Sequence, residues 1–247
     1  MSHAAPDAGV IFDLDGVIID SEALQHRAYN LVLERFGIQV DAVVYGREWI
    51  AAGRGPEYAV RALGLPIPAD ELRRLKHPVY HELLRSEIAL VPGAGEALER
   101  LSRRYPIALA TNSNATDVAF VLERFRLQPF FRAVVTREHY TEAKPAPDAF
   151  ATAAAQLGLP PGRCVVIEDA TKGMRAAAAA GCPCIAFPHD YTADNDTGTA
   201  SNGISVARQP CRKMKTTMIT SKIASTSVCM ISVIPSVTGS VVSKATA

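Results

Sequence analysis

Asp13-Leu14-Asp15-Gly16 sets two carboxylates one residue apart, directly after the apolar run Val10-Ile11-Phe12. Three further polar groups stand in comparable places: Thr111-Asn112-Ser113 after Ile107-Ala108-Leu109-Ala110, Lys144-Pro145 beyond Ala133-Val134-Val135, and Glu168-Asp169 after Cys164-Val165-Val166-Ile167. Carboxylates can act as nucleophiles or move protons, and a lysine with hydroxyl and amide donors can hold an anion. Each group alone also has a plainer reading. Asp-x-Asp-Gly suits a turn, Thr111-Asn112-Ser113 suits a helix N-cap, Lys144 suits a solvated surface, and Glu168-Asp169 suits the cap of a helix starting near Thr171. What sets them apart is their shared position. Each follows a strand-like run, and in parallel α/β sheets reactive groups gather beyond the carboxyl ends of the strands.

The elements that must hold these groups are legible as an alternation. The four apolar runs and a fifth, Cys184-Ile185-Ala186-Phe187, are short and rich in β-formers, and helical spacing fills 95–105, 117–125, 148–157 and 173–180 between them. Glycines at 158 and 181 close two of those helices. Strands alternating with helices predict a parallel sheet with crossover helices. The interval 21–91 breaks the rhythm. It holds an amphipathic pattern over 22–36 closed by Gly37, a second over 56–63 closed by Gly64, one or two more over 69–84, and no comparable strand run, before Pro92-Gly93 marks the return. The expected organisation is an α/β Rossmann-like core from residues 1–20 and 92–196, with a helical cap domain, 21–91, inserted after the first strand.

Composition narrows the function classes. Residues 1–196 carry 20 basic and 25 acidic side chains, 20 − 25 = −5, while the six basic residues beyond them meet no acidic one. The first part has no basic stripe of the size nucleic-acid binding needs. No apolar run reaches membrane-spanning length, the amino terminus lacks the pattern of a signal peptide, and five cysteines without disulfide or zinc spacing suit free thiols in a reducing compartment. A cytoplasmic protein with neither nucleic-acid nor membrane partners is expected; oligomeric state is left open. The tail, 197–247, has no acidic or aromatic residue and many serines and threonines. It is expected to be disordered, although 228–234 is an uncharged, β-prone window.

Over residues 9–190 the sequence resembles the haloacid dehalogenase-like hydrolases, in the subgroup with a helical cap that includes β-phosphoglucomutase-like phosphatases. Four motifs carry the resemblance in order: Asp13-x-Asp15-Gly16-Val17, Thr111, Lys144-Pro145-x-Pro147 and Glu168-Asp169-x-x-x-Gly173. The resemblance implies magnesium-dependent hydrolysis of a small phosphorylated metabolite. Asp13 would attack phosphorus and form an aspartyl-phosphate, and Asp15 would protonate the leaving oxygen and later activate water. Lys144 would neutralise the cluster, and the Thr111 hydroxyl with backbone donors at Asn112 would hold phosphoryl oxygens. Mg2+ would take Asp13, the Asp15 carbonyl and Asp169, with Glu168 as an indirect ligand. Gly16 and Gly173 would serve tight turns near the phosphate.

The cap says less. Arg47, Arg54 and Lys76 are candidates for the distal part of a substrate, as is Ser113 from the core, while Trp49 reads as cap core, His26 as structural, and Ser21 as a hinge position. A phosphomutase is the nearest alternative function. Mutases of the group carry a histidine on the first cap helix where this chain has Gln25, which favours hydrolysis. A dehalogenase needs no acid–base group at Asp15, and a non-catalytic module on the same fold needs none of the four motifs. Relatives usually continue after the fifth strand into a last strand and helix, so the altered composition beyond Asp196 leaves completion of the sheet edge in question.

Overall fold

The computed structural model describes residues 7–52, 54–187 and 204–206. Five of its strands are the runs read from sequence: β1 (Gly9–Phe12), β2 (Ile107–Ala110), β3 (Ala133–Val135), β4 (Cys164–Glu168) and β5 (Cys184–Ala186). A sixth, β6 (Ile204–Val206), completes an all-parallel sheet of order β3-β2-β1-β4-β5-β6. β1 lies between β2 and β4, with Val10 in register with Ile107 on one side and Val165 on the other. The first motif therefore leaves the sheet at its middle.

These runs are apolar throughout because helices cover both faces of the sheet. Side chains alternate between the faces, so Val10 and Phe12 enter one core layer with Ile107, Leu109, Val165 and Ile167. Ile11 enters the opposite layer with Ala108, Ala110, Cys164 and Val166. That second layer is closed by α7 (Asp148–Leu157) and α8 (Thr171–Ala180), whose small alanine faces let them approach closely. The first layer is closed by α5 (Ala94–Ser102) and α6 (Ala115–Arg124), and by residues from helices that lie between β1 and β2 in the chain.

Those intervening helices are α1 (Glu22–Leu33), a three-residue turn α2 (Ala42–Val44), α3 (Pro56–Leu63) and α4 (Ala69–Glu87). Gly37 and Gly64 adopt left-handed backbone at φ +69° and +62°, as helix-closing glycines do. The 69–87 segment is one helix and runs through Pro78. Between Gly37 and Pro56, where no helical pattern was expected, Asp41 caps α2 by accepting from Val43 N–H at 2.8 Å, and a π-helix, Tyr45–Ala51, follows. This stretch turns Trp49 inward, where it meets Tyr29 edge-on with centroids 4.8 Å apart. Both belong to a third hydrophobic cluster made only of insertion residues. His26 Nε2 lies 2.7 Å from the Val40 carbonyl oxygen and beside Asn30, a structural role.

β6 comes from the tail for which disorder was expected. Its backbone pairs with the otherwise open edge of β5, Ile185 opposite Ser205, so edge pairing overrides composition over these three residues. Residues 197–203 and 207–247, including the window 228–234, lie outside the described residues. The three described cysteines, Cys164, Cys182 and Cys184, are free and buried. Among the described residues no helix is long and apolar enough to cross a membrane.

Candidate active site

Asp13 is held in place by the sheet: its N–H still donates to the Ile167 carbonyl, 3.0 Å away. The chain then turns sharply, with Gly16 at φ +74° and the Leu14 carbonyl accepting from Ile18 at 2.9 Å. Left-handed backbone is what glycine supplies at such a point. This loop lines an open cavity together with Thr111, Asn112, Lys144, Glu168 and Asp169. The groups from four strand ends thus meet in one place.

Lys144 is the hub. Its Nζ donates to Asp13 Oδ1 at 2.5 Å, to the Ala110 carbonyl at 3.0 Å and to Glu168 Oε1 at 3.1 Å, which uses all three ammonium protons. Burial opposes the charge on Lys144, but Asp13 and Glu168 outweigh it and hold the ammonium above its usual range. Asp13 is pushed up to about 7, chiefly by burial, with Lys144 pulling the other way. Burial also raises Glu168, and raises Asp169 well above the ordinary carboxylate value with help from the Asp13 charge.

Asp13, Glu168 and Asp169 bring oxygens within 4.8 Å of one another, all buried. Fully ionised, they and Lys144 would leave −3 + 1 = −2 out of water, an arrangement that burial strongly opposes without a further cation. The donors are all oxygen, which suits a hard divalent ion. Asp15 contributes no carboxylate to this group; its expected metal contact is a main-chain carbonyl. Its side chain is turned aside instead, accepting from Ser21 Oγ at 2.5 Å and Ser113 Oγ at 2.6 Å. The two aspartates of the first motif are thereby kept in different surroundings.

The loop after β2 is held by its own hydrogen bonds. Thr111 Oγ1 accepts from Ser113 N–H at 3.0 Å. Asn112 Oδ1 accepts from Lys144 N–H at 3.2 Å and lies 2.8 Å from the Tyr140 hydroxyl. The N-cap of α6 is Asn114, which accepts from Asp117 N–H at 2.9 Å, so Thr111, Asn112 and Ser113 are free of the capping role. Ser113 contacts Asp15, not the open part of the cavity. Gly173 also differs from its expected role. It lies within α8, not in a turn, and a Cβ there would come 1.6 Å from Glu168 Oε1. The motif spacing therefore reserves space for the Glu168 carboxylate.

The basic residues expected from the insertion do not line the cavity. Arg47 is exposed, its Nε on Glu48 at 3.0 Å, and Arg54 pairs with the same glutamate at 2.7 Å. Lys76 donates to Gln25 Oε1 and lies over the rings of Tyr29 and Tyr80, at 4.5 and 5.2 Å from their centroids. Burial pushes it down to about 8. Four lining residues escaped sequence reasoning: Glu22 at the start of α1, Ile50 in the π-helix, Ala170 just before α8 and Lys172 in its first turn. Of these, Ala170 and Lys172 had a usable signal, their place inside the Glu168 to Gly173 motif.

Residues 10–187 match the family model of the haloacid dehalogenase-like hydrolases. The chain is 32% identical to fructose-1-phosphate phosphatase YqaB of Escherichia coli K12, over 70% of this chain and 93% of that protein. It is 33% identical to hexitol phosphatase A of the same organism, over 82% and 95%. Among solved structures it resembles CbbY from Rhodobacter sphaeroides in complex with phosphate, at 28% identity and a TM-score of 0.66, covering 81% of this chain and 92% of that one.

Proposed function

The chain belongs to the haloacid dehalogenase-like hydrolases, and from that premise we propose that it is a Mg2+-dependent phosphatase of small phosphorylated sugars and related metabolites. The observation that carries this reading is the buried cluster in which Lys144 ties Asp13 to Glu168 beside Asp169, while Asp15 is held apart by two serines. Two carboxylates at one strand end are thus given two environments, as a nucleophile and an acid–base partner require.

In this reading Asp13 attacks phosphorus and its bond to the phosphoryl group forms as the ester oxygen leaves. Lys144 fixes the rotation of the Asp13 carboxylate through Oδ1 and lowers the cost of its ionisation. Asp15 gives a proton to the leaving oxygen, exchanging a serine contact for it, and takes one from the water that splits the aspartyl-phosphate. Thr111 and Asn112 face the phosphoryl oxygens. Mg2+, held by Asp13 and Asp169 with Glu168 next to them, would supply positive charge against the phosphoryl oxygens and the carboxylates. The helical insertion acts as the cap, presenting Glu22 and Ile50 to the substrate. The two Escherichia coli phosphatases named above act on fructose 1-phosphate and hexitol phosphates by their names, which supports a substrate of that chemical class.

Hydrolysis is favoured over mutase chemistry because Gln25 stands where mutases carry a cap histidine, and its carbonyl is occupied by Lys76. The test is a panel of sugar, hexitol and nucleoside monophosphates with Mg2+ or with chelator, including β-glucose 1-phosphate with a trace of its bisphosphate. Phosphate release that chelator abolishes is expected, faster than any formation of glucose 6-phosphate. Accumulation of glucose 6-phosphate with negligible phosphate release would replace this reading with the mutase one.

A further inference from the structure

A second group of ligating side chains lies away from the carboxylate cluster, where the insertion meets the core. His77 and His81 are four residues apart on α4, and this spacing puts both imidazoles on one helix face; their ring centroids are 4.1 Å apart. Asp117, from α6 of the core, faces them. One ligand atom from each of the three lies within 4.8 Å of the others. His81 Nε2 is 2.8 Å from Asp117 Oδ1, yet it is buried and makes no aligned hydrogen bond. A buried imidazole nitrogen and a carboxylate oxygen in ion-pair contact, without hydrogen-bond alignment, are two ligand atoms that a shared cation can hold in place of a proton.

The surroundings add to this. Asn114 Nδ2 donates to Asp117 Oδ2 at 2.8 Å, which orients the carboxylate and leaves Oδ1 toward the histidines. Metal-ligating carboxylates are commonly fixed by such an outer hydrogen bond. His77 is exposed, so the group has an entry path. Histidines at i and i+4 with a carboxylate from another element form a nitrogen–oxygen set suited to zinc-like ions, not to magnesium. Tetrahedral ligands at zinc distances sit about 3.3 Å apart, so a rotation of the exposed His77 ring and a small opening of the His81–Asp117 contact close the geometry.

We propose that His77, His81 and Asp117 form a binding site for a transition-metal dication of the zinc type, which bridges the helical insertion to the core. The site is separate from the carboxylate cluster in ligand chemistry as well as in place. Its core ligand stands on the same segment, β2 to α6, that presents Thr111 and Asn112 to the cavity. An ion held there ties the insertion to the loop that faces the phosphoryl group.

The test uses the full chain near pH 7.5, with saturating Mg2+ present throughout. Zn2+ binding is measured by calorimetry, and Co2+ by its visible absorption. The expected result is one equivalent of Zn2+ bound in the presence of Mg2+, and a Co2+ spectrum of low coordination number. His81→Gln on the insertion side and Asp117→Asn on the core side should each weaken binding on the order of 100-fold. His77→Ala, at an exposed position, should give a loss of the same kind and carries the test if either of the other variants fails to fold. Zn2+ binding of unchanged affinity in His77→Ala, or no equivalent beyond what Mg2+ displaces, would overturn the proposal.

Discussion

Among the described residues two lysines are drawn out of water, and their partners treat them in opposite ways. Lys144, in the core, has carboxylates at 2.5 and 3.1 Å and is held charged. Lys76, in the helical insertion, has an amide oxygen and two aromatic rings, and burial brings it down to about 8. Cation–π contacts and one neutral acceptor return only part of the hydration an ammonium gives up, whereas a carboxylate at contact distance returns more. The core thus fixes a permanent positive charge where anionic chemistry is to occur, and the insertion keeps one whose charge depends on pH.

The comparison breaks most visibly at Lys144. Lys144→Met leaves Asp13 and Glu168 buried without their cation, so kcat/KM should fall by about 10³-fold or more. The metal-free protein should lose about 3–5 kcal/mol at pH 8. The stability loss should shrink at pH 5, where the abandoned carboxylates take up protons. Denaturant titrations at both pH values check this, and equal losses would show that the pairing with Asp13 is not what Lys144 contributes.

Gly173→Ala should have the next largest effect. Alanine inside an exposed helix is ordinarily worth about 0.5–1 kcal/mol over glycine, but here its Cβ collides with the Glu168 carboxylate. The expected outcome is a loss of about 1–3 kcal/mol together with a drop in activity, read by thermal melts and steady-state assays. A stabilised, fully active variant would mean that Glu168 is free to move and is not part of a fixed cluster.

How these positions could be recognised differs from residue to residue. Asp13, Thr111, Lys144 and Glu168-Asp169 were legible because a parallel sheet places whatever follows its strands on one side, and the strands are marked by unbroken apolar runs. The space held by Gly173 was not, because a helical glycine kept for packing looks like any other. Ser21 and Ser113 gripping Asp15 depend on a contact across 98 residues for the latter. Ile50 reaches the cavity from a π-helix whose sequence carries no helical period, and β6 forms where a three-residue run finds an open edge. Local pattern specified what each segment prefers, and tertiary pairing specified which neighbours it meets.

The smallest expected effect lies on the insertion side of the comparison. Because Lys76 titrates at about 8 in the folded chain, against an ordinary lysine value of 10.5, the folded state binds fewer protons than the unfolded state between those values. Stability from this group therefore rises with pH through that window, and its full penalty is present below it. Lys76→Met should stabilise the protein at pH 7 by on the order of 1–3 kcal/mol, with the advantage fading as pH rises past 8. A constant difference across the window would place the charge of Lys76 in water after all.

In the proposed reaction the division of labour has Asp13 carry the phosphoryl group and Asp15 move the protons. It is tested most directly by acid-quenching a reaction of Asp15→Asn with a phosphorylated sugar and Mg2+, then weighing the peptide that contains residue 13. Phosphate on Asp13 in that variant, with none in Asp13→Asn and no turnover by the latter, is the predicted result. Turnover by Asp13→Asn, or phosphate attached to a different residue, would remove Asp13 from the role of nucleophile.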